Sequence, residues 1–359
     1  MGLPEEAVDF AVSVRSALAG LGGVDAARRA EADPGERAGR VTGVLAGLGV
    51  PGLDPREDEV SAAAAGELCR EAGRVALPYP VASVLLAGGS GDATPLAVVD
   101  GPAWRVDHAD LFPVWRVTDI EGRGGTGLSR RRLGTRLGPF AGDLEPGGAE
   151  SGERPGAGGG AGGGAAGGGA GNTLDAAFHL TLTAWTILGG LESALELAVE
   201  HVTGRVQFGQ PISGFQAVQF QLADCAVGVD GLREVSRFTL WRLLADPERA
   251  ITDALALRLQ AVETARAVLR TTQQLHGASG LCDEYDISIL CRHMQPALRL
   301  PFGADRAAEA LFDSIERHGF ESLFPHGGAA GGSAGAEASA RRPAGAAAAG
   351  SGGTAGVRP

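Results

Sequence analysis

Arg205-Val-Gln-Phe-Gly-Gln-Pro-Ile-Ser-Gly-Phe-Gln216 and, further on, Gln274-Leu-His-Gly-Ala-Ser-Gly280 are the two stretches on which the fold turns. Each is a glycine-bearing loop set between long runs of helical periodicity. Phe215, Val218, Leu222, Cys225, Val229 and Leu232 recur at three- and four-residue spacing, the apolar stripe of a core-facing helix. Leu255, Leu259, Val262, Ala265, Leu269 and Thr272 make a second such stripe. Leu174 to Val202 reads as a third long helix and Ala304 to Arg317 as a shorter one. Asp246 before Pro247 looks like a helix cap followed by Pro at the first helical position. Long helices joined by short connections imply an up-down four-helix bundle over residues 173–325.

Within the first loop, Ser213-Gly-Phe-Gln216 fits a capping box, in which the Ser hydroxyl and the Gln amide satisfy each other's orphan N–H groups. That explains Gln216 without a ligand. It leaves Arg205, Phe208 and Gly209 unexplained. A guanidinium fork suits a diphosphate, because it donates two parallel charge-assisted hydrogen bonds. In the second loop, glycines let the backbone approach a ligand closely, although a helix-ending Gly accounts for Gly277 equally well.

Together the two stretches resemble the flavin-contacting signatures "R-x-Q-F-G" and "Q-I-x-G-G-x-G" in the C-terminal domain of acyl-CoA dehydrogenases. Glu284, Tyr285 and Arg292 follow at the family's spacing, and Ala278 replaces its middle Gly. The resemblance implies FAD as cofactor, shared across a subunit interface. Arg205 would pair with its diphosphate, Phe208 would lie against its adenosine side, and Gln216, Gln274 and Gly277 would complete the seat.

The remaining chain is less specific. Residues 1–90 read as a helical domain, with Ala7 to Leu21 and Asp58 to Val75 as its clearest helices. The second ends in Glu67-Leu-Cys-Arg-Glu-Ala-Gly73-Arg74 and Leu77-Pro-Tyr-Pro80, which resembles a helix ending of the same family. Over residues 91–145 the period changes. Leu96–Val99, Trp104–His108 and Trp115–Ile120 are short runs bounded by Gly, Pro and Asp, as strands are. This β domain is shorter than the family's. Residues 146–172 are a Gly/Ala-rich linker or insertion, and residues 326–359 a low-complexity tail expected to lack fixed structure. The expected fold is mainly α with a small β domain: helical N-terminal domain, shortened β domain, C-terminal four-helix bundle.

Composition narrows the function. The formal net charge of −12 argues against a nucleic-acid surface. No apolar run reaches the length of a bilayer-spanning helix, and no secretory signal is read at the N-terminus, so a cytoplasmic protein without membrane insertion is expected. Cys69, Cys225, Cys282 and Cys291 have no metal-binding spacing and read as reduced thiols. There is no lysine, which excludes Schiff-base chemistry and a Lys-dependent phosphate loop.

The family reaction removes a proton beside a thioester carbonyl while a hydride passes to the flavin, so it needs a carboxylate to accept the proton. Counted from Arg292, the position of the family's glutamate is Pro301, or Phe302 with one inserted residue, and neither accepts a proton. The alternative family position, on the first long C-domain helix, is His179, with Leu180 where an Arg commonly follows. His179, Asp305 and Glu309 are candidate relocated bases. A lone His on a helix is also an ordinary core residue, and carboxylates early in a helix are favoured by its dipole. The resemblance is to the glutamate-lacking subunit of heteromeric actinobacterial enzymes of steroid and cholesterol side-chain degradation. It implies an acyl-CoA substrate, a glutamate-bearing paralogue (or a second copy) as partner, and an electron-transferring flavoprotein. A self-sufficient dehydrogenase with a relocated base and a scaffold that has lost FAD are the alternatives.

Overall fold

The computed structural model describes residues 2–87, 94–130, 137–147 and 170–318. Nearly all of the Gly/Ala-rich linker, and the whole C-terminal tail, lie outside these residues. The N-terminal part is helical: α1 (Glu5–Gly20), α2 (Val24–Ala32), α3 (Arg37–Gly47), α4 (Glu59–Arg74) and the short α5 (Val81–Leu85). In α1, Ala7, Ala11, Val14 and Leu18 recur one helical turn apart and are all buried. Asp58 caps α4 by accepting a hydrogen bond from the Ser61 amide at 2.7 Å.

Five strands follow: β1 (Leu96–Val98), β2 (Trp104–Val106), β3 (Val114–Thr118), β4 (Gly124–Arg130) and β5 (Gly142–Pro146). They form one sheet in the order β1-β3-β4-β5-β2, parallel only between β1 and β3. Its own small core gathers Ala97, Val99, Val106, Trp115, Val117 and Leu144. The sequence reading missed β4 and β5, because Gly124-Gly125-Thr126-Gly127 has neither alternation nor β-branched bulk. Gly127 sits where a Cβ would lie 2.9 Å from the Leu144 side chain and 3.0 Å from that of Val117. The missing side chain lets the neighbouring strands fill this face.

The C-terminal bundle consists of α6 (Ala170–Gly204), α7 (Gln216–Ala245), α8 (Ala250–His276), α9 (Asp286–Arg299) and α10 (Ala304–His318). A two-stranded hairpin, β6 (Val206–Gln207) and β7 (Gln210–Pro211), joins α6 to α7. The apolar stripes read from the sequence face the core as expected, with Cys225, Val229 and Leu232 buried on α7 and Leu255, Val262, Ala265 and Leu269 on α8. Helix α6 is apolar and long enough to cross a bilayer by length and composition. Here it is the central helix, packed by α4, α7, α8 and α9.

Two capping expectations fail. Asp246 is the C-cap of α7, its carboxylate held by Arg242 at 3.0 Å, and α8 begins only at Ala250 after an intervening turn. The Ser213/Gln216 capping box does not form. Ser213 lies in a 3-10 turn (Ile212–Gly214), the N-cap is Phe215, and no side chain caps α7.

The helices α4 and α6 touch backbone to backbone. A Cβ on Gly73 would lie 1.9 Å from the Thr186 carbonyl oxygen, and one on Gly189 would lie 1.8 Å from that of Arg70. Replacing Gly73 with Ala therefore has to push two central helices apart. The expected loss is about 1–3 kcal/mol or more, as for overpacked cores. Gly20→Ala meets nothing within 4 Å and should not lower stability. Urea denaturation of the two variants checks this, and equal midpoints would show that the crossing is not tight.

Candidate functional site

Two places gather the chemistry-bearing residues, at opposite ends of α6. The first is a cavity of about 120 Å³ where α4, α5, the β sheet, α6 and α9 meet. Its wall mixes apolar residues with polar ones, among them Ser83, Arg105, Asp107, His108, His179 and His293, and Pro301 also lines it. His179 is within hydrogen-bond distance of Ser83, Nε2 to Oγ at 3.2 Å, and its Nδ1 is buried without a partner. Burial, and then the charge of Arg258, hold the His179 imidazole down at about 4. It is thus neutral at physiological pH and a weak proton acceptor.

Arg258 sets the loop that carries Pro301 and Phe302. Its side chain is fully buried on α8 and donates to the carbonyl oxygens of Ala297, Leu300 and Phe302, the last at 2.6 Å. Burial lowers its pKa to about 9. Pro301 edges the cavity and Phe302 is buried beneath it. Asp305 and Glu309 lie on the exposed side of α10 and do not line the cavity. The sequence reading brought His179 and Pro301 to this place. It missed Ser83, Asp107, His108 and His293, which carry no motif and meet only through tertiary packing.

Beneath the cavity, Glu31 of α2 accepts two hydrogen bonds from Arg292 at 2.8 and 2.9 Å and pairs with His293 Nε2 at 2.7 Å. Arg292, found in the sequence through family spacing, therefore fastens the N-terminal domain to α9.

The second place is the far end of the bundle. From His179 to Gly204, α6 runs about 37 Å at 1.5 Å per residue. Because the helices alternate in direction, the end of α6, the start of α7, the end of α8 and the start of α9 all meet there. Arg205, His201, His276 and Tyr285 line a groove of about 570 Å³, together with Glu200, Glu284 and Asp286. The His201 and His276 rings stack at 4.5 Å. Arg205 is exposed, and its guanidinium makes no ion pair among the described residues. Phe208 is 91% exposed and adopts a left-handed backbone (φ 53°), uncommon for a bulky residue. Gln216 and Gln274 are also exposed. It is Gln273 that bonds the following turn, through the Gly280 carbonyl oxygen at 3.3 Å. Gly277 ends α8 at φ 61° and ψ −136°, a conformation that only glycine adopts readily.

Residues 179–306 match the family described as acyl-CoA dehydrogenase, C-terminal domain. A probable acyl-CoA dehydrogenase of Bacillus subtilis, YngJ, is 36% identical over 121 residues, 33% of this chain and 31% of that protein. The chain thus spans about a third of the length of the curated relatives it matches. Among solved structures, the steroid ACAD Tcur3481-Tcur3483 superposes with a TM-score of 0.69 at 21% identity, over 87% of this chain and 98% of that one. The ChsE4-ChsE5 complex from Mycobacterium tuberculosis superposes with a TM-score of 0.70 at 17% identity, over 88% and 98%. At such identities the superpositions establish the fold. Residues 179–306 thus match the C-terminal domain of acyl-CoA dehydrogenases, and the described residues share the fold of the superposed structures.

That family's cofactor is FAD, and the two places fit it unequally. The bundle end suits the diphosphate and adenosine half: an unpaired guanidinium fork, an exposed aromatic ring and a backbone turn open at Gly277. The cavity does not suit the ring half. Its 120 Å³ falls short of the roughly 300–1,000 Å³ of sites for larger ligands.

Glu31 yields a test of the clamp under the cavity. Burial opposes its ionisation, but hydrogen bonds from His293 and Arg292 prevail and hold it at about 2, against 4.5 ordinarily. A depressed carboxyl stabilises the fold above its unfolded pKa, and that contribution is lost as pH falls through the folded value. The wild-type protein should therefore lose stability between pH 4.5 and 2. Glu31→Gln should be less stable at pH 7 and show a flatter profile over that window. Urea midpoints measured from pH 7 to 2 decide it, and parallel profiles would mean that the clamp contributes nothing.

Proposed function

We propose that this chain is a non-catalytic subunit of an FAD-dependent acyl-CoA dehydrogenase and completes the cofactor site of a glutamate-bearing partner. What carries the reading is the unequal fit of the two places. Arg205, Phe208, Gln216, Gln274 and Gly277 offer a seat at the far end of α6, whose groove edge at Leu197 lies roughly 17 Å along the helix from the cavity edge at Thr186. The cavity's 120 Å³ is too small for a flavin ring, which supports a diphosphate held by Arg205 belonging to a cofactor whose ring sits in another subunit. The base-less loop at Pro301 and Phe302, and the exposure of Asp305 and Glu309, agree with a subunit that does not oxidise substrate itself. Within this reading the partner supplies the proton acceptor, and an electron-transferring flavoprotein takes the electrons. The flavin, when bound, accepts the hydride. This chain's residues hold its diphosphate and screen its adenosine half from water. Two superposed structures, a steroid ACAD and the ChsE4-ChsE5 complex, favour a heteromer, with steroid or other lipid catabolism as its setting and the cytoplasm as its proposed location.

Purified alone, the chain should hold little flavin and should gain it on co-expression with a glutamate-bearing paralogue. Full occupancy by visible flavin absorbance in the lone chain would contradict the shared site. In the complex, Arg205→Ala should weaken flavin retention by about 1.5–3 kcal/mol, the usual worth of hydrogen bonds to a charged group. Arg205→Lys should restore only part, because an ammonium lacks the fork. Wild-type flavin content in both variants would make Arg205 a structural loop residue.

Turnover separates this reading from a relocated base on α10. Asp305→Asn with Glu309→Gln should leave turnover of the complex within a few-fold. Loss of the partner's glutamate should lower it by on the order of 10²–10⁴. A hundredfold loss from the α10 pair with flavin retained would overturn the assignment.

A further inference from the structure

The groove at the far end of the bundle carries two imidazoles that the sequence signatures leave without a role. His201 stands in the last turn of α6, and His276 is the last residue of α8. Their rings stack with centroids 4.5 Å apart and planes inclined by 27°. His276 is 7% exposed and lies 2.7 Å, through Nδ1, from the Thr272 carbonyl oxygen. A carbonyl only accepts, so Nδ1 carries the hydrogen and the ring is fixed. His201 is half-buried, the more open of the two.

The charges around the pair are unbalanced. Arg205 brings one guanidinium to the groove. Against it stand Glu200, from the last turns of α6, and Glu284, from the turn before α9. Both are exposed, and neither makes an ion pair among the described residues. Asp286 lines the groove too, but Arg28 of α2 neutralises it at 2.7 Å. Tyr285 adds a phenol. Two free carboxylates thus oppose one guanidinium where a diphosphate would bring negative charge of its own. The imidazoles are the groups lining this groove that can become cationic near neutral pH.

We propose that the His201–His276 pair is a one-proton switch on the cofactor seat, taking up a proton when a diphosphate binds beside Arg205, so that the seat tightens as pH falls below neutrality. The ligand class rests on the function proposed above. The uptake is a single proton, because two imidazolium rings 4.5 Å apart repel each other and the pair titrates as a unit. That one charge is well placed, since both rings stand at helix C-termini, where the macrodipole stabilises a cation. His201, as the more open ring, receives it.

In the empty groove the proton is held off. Burial lowers the His201 pKa from its ordinary 6.5, and His276 and Arg205 lower it further, so the ring is neutral at pH 7. A bound diphosphate places negative charge beside the ring and raises the value again. The proton is taken up between the free and the bound values. Affinity therefore grows as pH falls through the bound value and levels off below the free one, because proton and diphosphate favour each other by the same factor.

The experiment measures FAD binding by equilibrium dialysis from pH 8 to 5.5, using the chain co-expressed with a glutamate-bearing paralogue and stripped of flavin. FAD serves because its diphosphate is esterified at both ends and does not titrate in this range. Affinity should rise by roughly tenfold toward pH 5.5, within the usual coupling between two sites. His201→Gln should flatten the profile with an unchanged melting curve. In the free chain, the His201 ring resonance, assigned by its loss in His201→Gln, should titrate below pH 6.5. His276→Gln should move that midpoint up, because the neighbouring ring no longer opposes the charge. A His201 midpoint above 6.5 overturns the switch. So does FAD binding whose pH profile is flat, or equally steep in His201→Gln, and that result leaves the shared seat standing. Absence of FAD binding at every pH overturns the shared seat and the switch with it, so the two failures are distinguishable.

Discussion

The contact between α4 and α6 is the constraint on which the rest of the molecule depends. Gly73 and Gly189 bring two backbones together, and Gly66 leaves room for the fully buried Trp185 indole. So close a crossing drives nearby carboxylates out of water. Glu67, Glu71 and Glu192 are all at least 95% buried, at 3%, 2% and 5% exposure. Each is met by arginine: Glu67 by Arg70, Glu71 by Arg15, and Glu192 by Arg70, Arg74 and Arg233. Stranding any of these charges by removing its partners would be strongly unfavourable, although the intact network need not be worth more than an apolar core of equal volume. What the network provides is register, because it joins α1, α4, α6 and α7 at one height.

To that fixed axis the β domain is tied both by ion pairs and by Leu96, Val98 and Ile120, which join the main apolar core. Asp175, at the start of the described part of α6, takes both Arg56 and Arg116 at 2.7 Å. Arg37 pairs with Asp110 at 2.6 Å, and Arg306 reaches Asp100 at 3.3 Å. These tethers leave the small cavity at the domain junction. They also set His108 and Asp107 against His179 and Pro301 across it. Arginine alone does this work, since the chain has no lysine, and its planar fork keeps direction where an ammonium would not.

The geometry gives each end of the bundle a separate chemistry. Near α9 and the sheet, burial keeps imidazoles neutral and raises a carboxyl toward neutrality. At the far end, Arg205 and Phe208 face solvent at a short hairpin. The two lie towards opposite ends of α6, which sets them at different places in the bundle.

The sequence by itself determined α6, α7, α8 and α10, the helical N-terminal part and the likeness of the C-terminal domain to acyl-CoA dehydrogenases, but not α9 (Asp286–Arg299). Apolar periodicity is a local property, and the Arg205–Gln216 stretch is contiguous. It also determined what is absent at Pro301 and Phe302, since no fold supplies a carboxylate to proline or phenylalanine. Glycine-rich β4 and β5 stayed hidden because their pairing is long-range and their side chains carry no alternation. The capping box at Ser213 failed for a related reason: the hairpin before α7 fixes where that helix begins, at Gln216, whatever the local pattern favours. Only the tertiary structure decided that Asp305 and Glu309 face solvent, that Gln216 and Gln274 are exposed, and that Asp107, His108 and His179 line one cavity. A carboxyl group's role depends on which surfaces close over it, and those surfaces come from residues far apart in the chain.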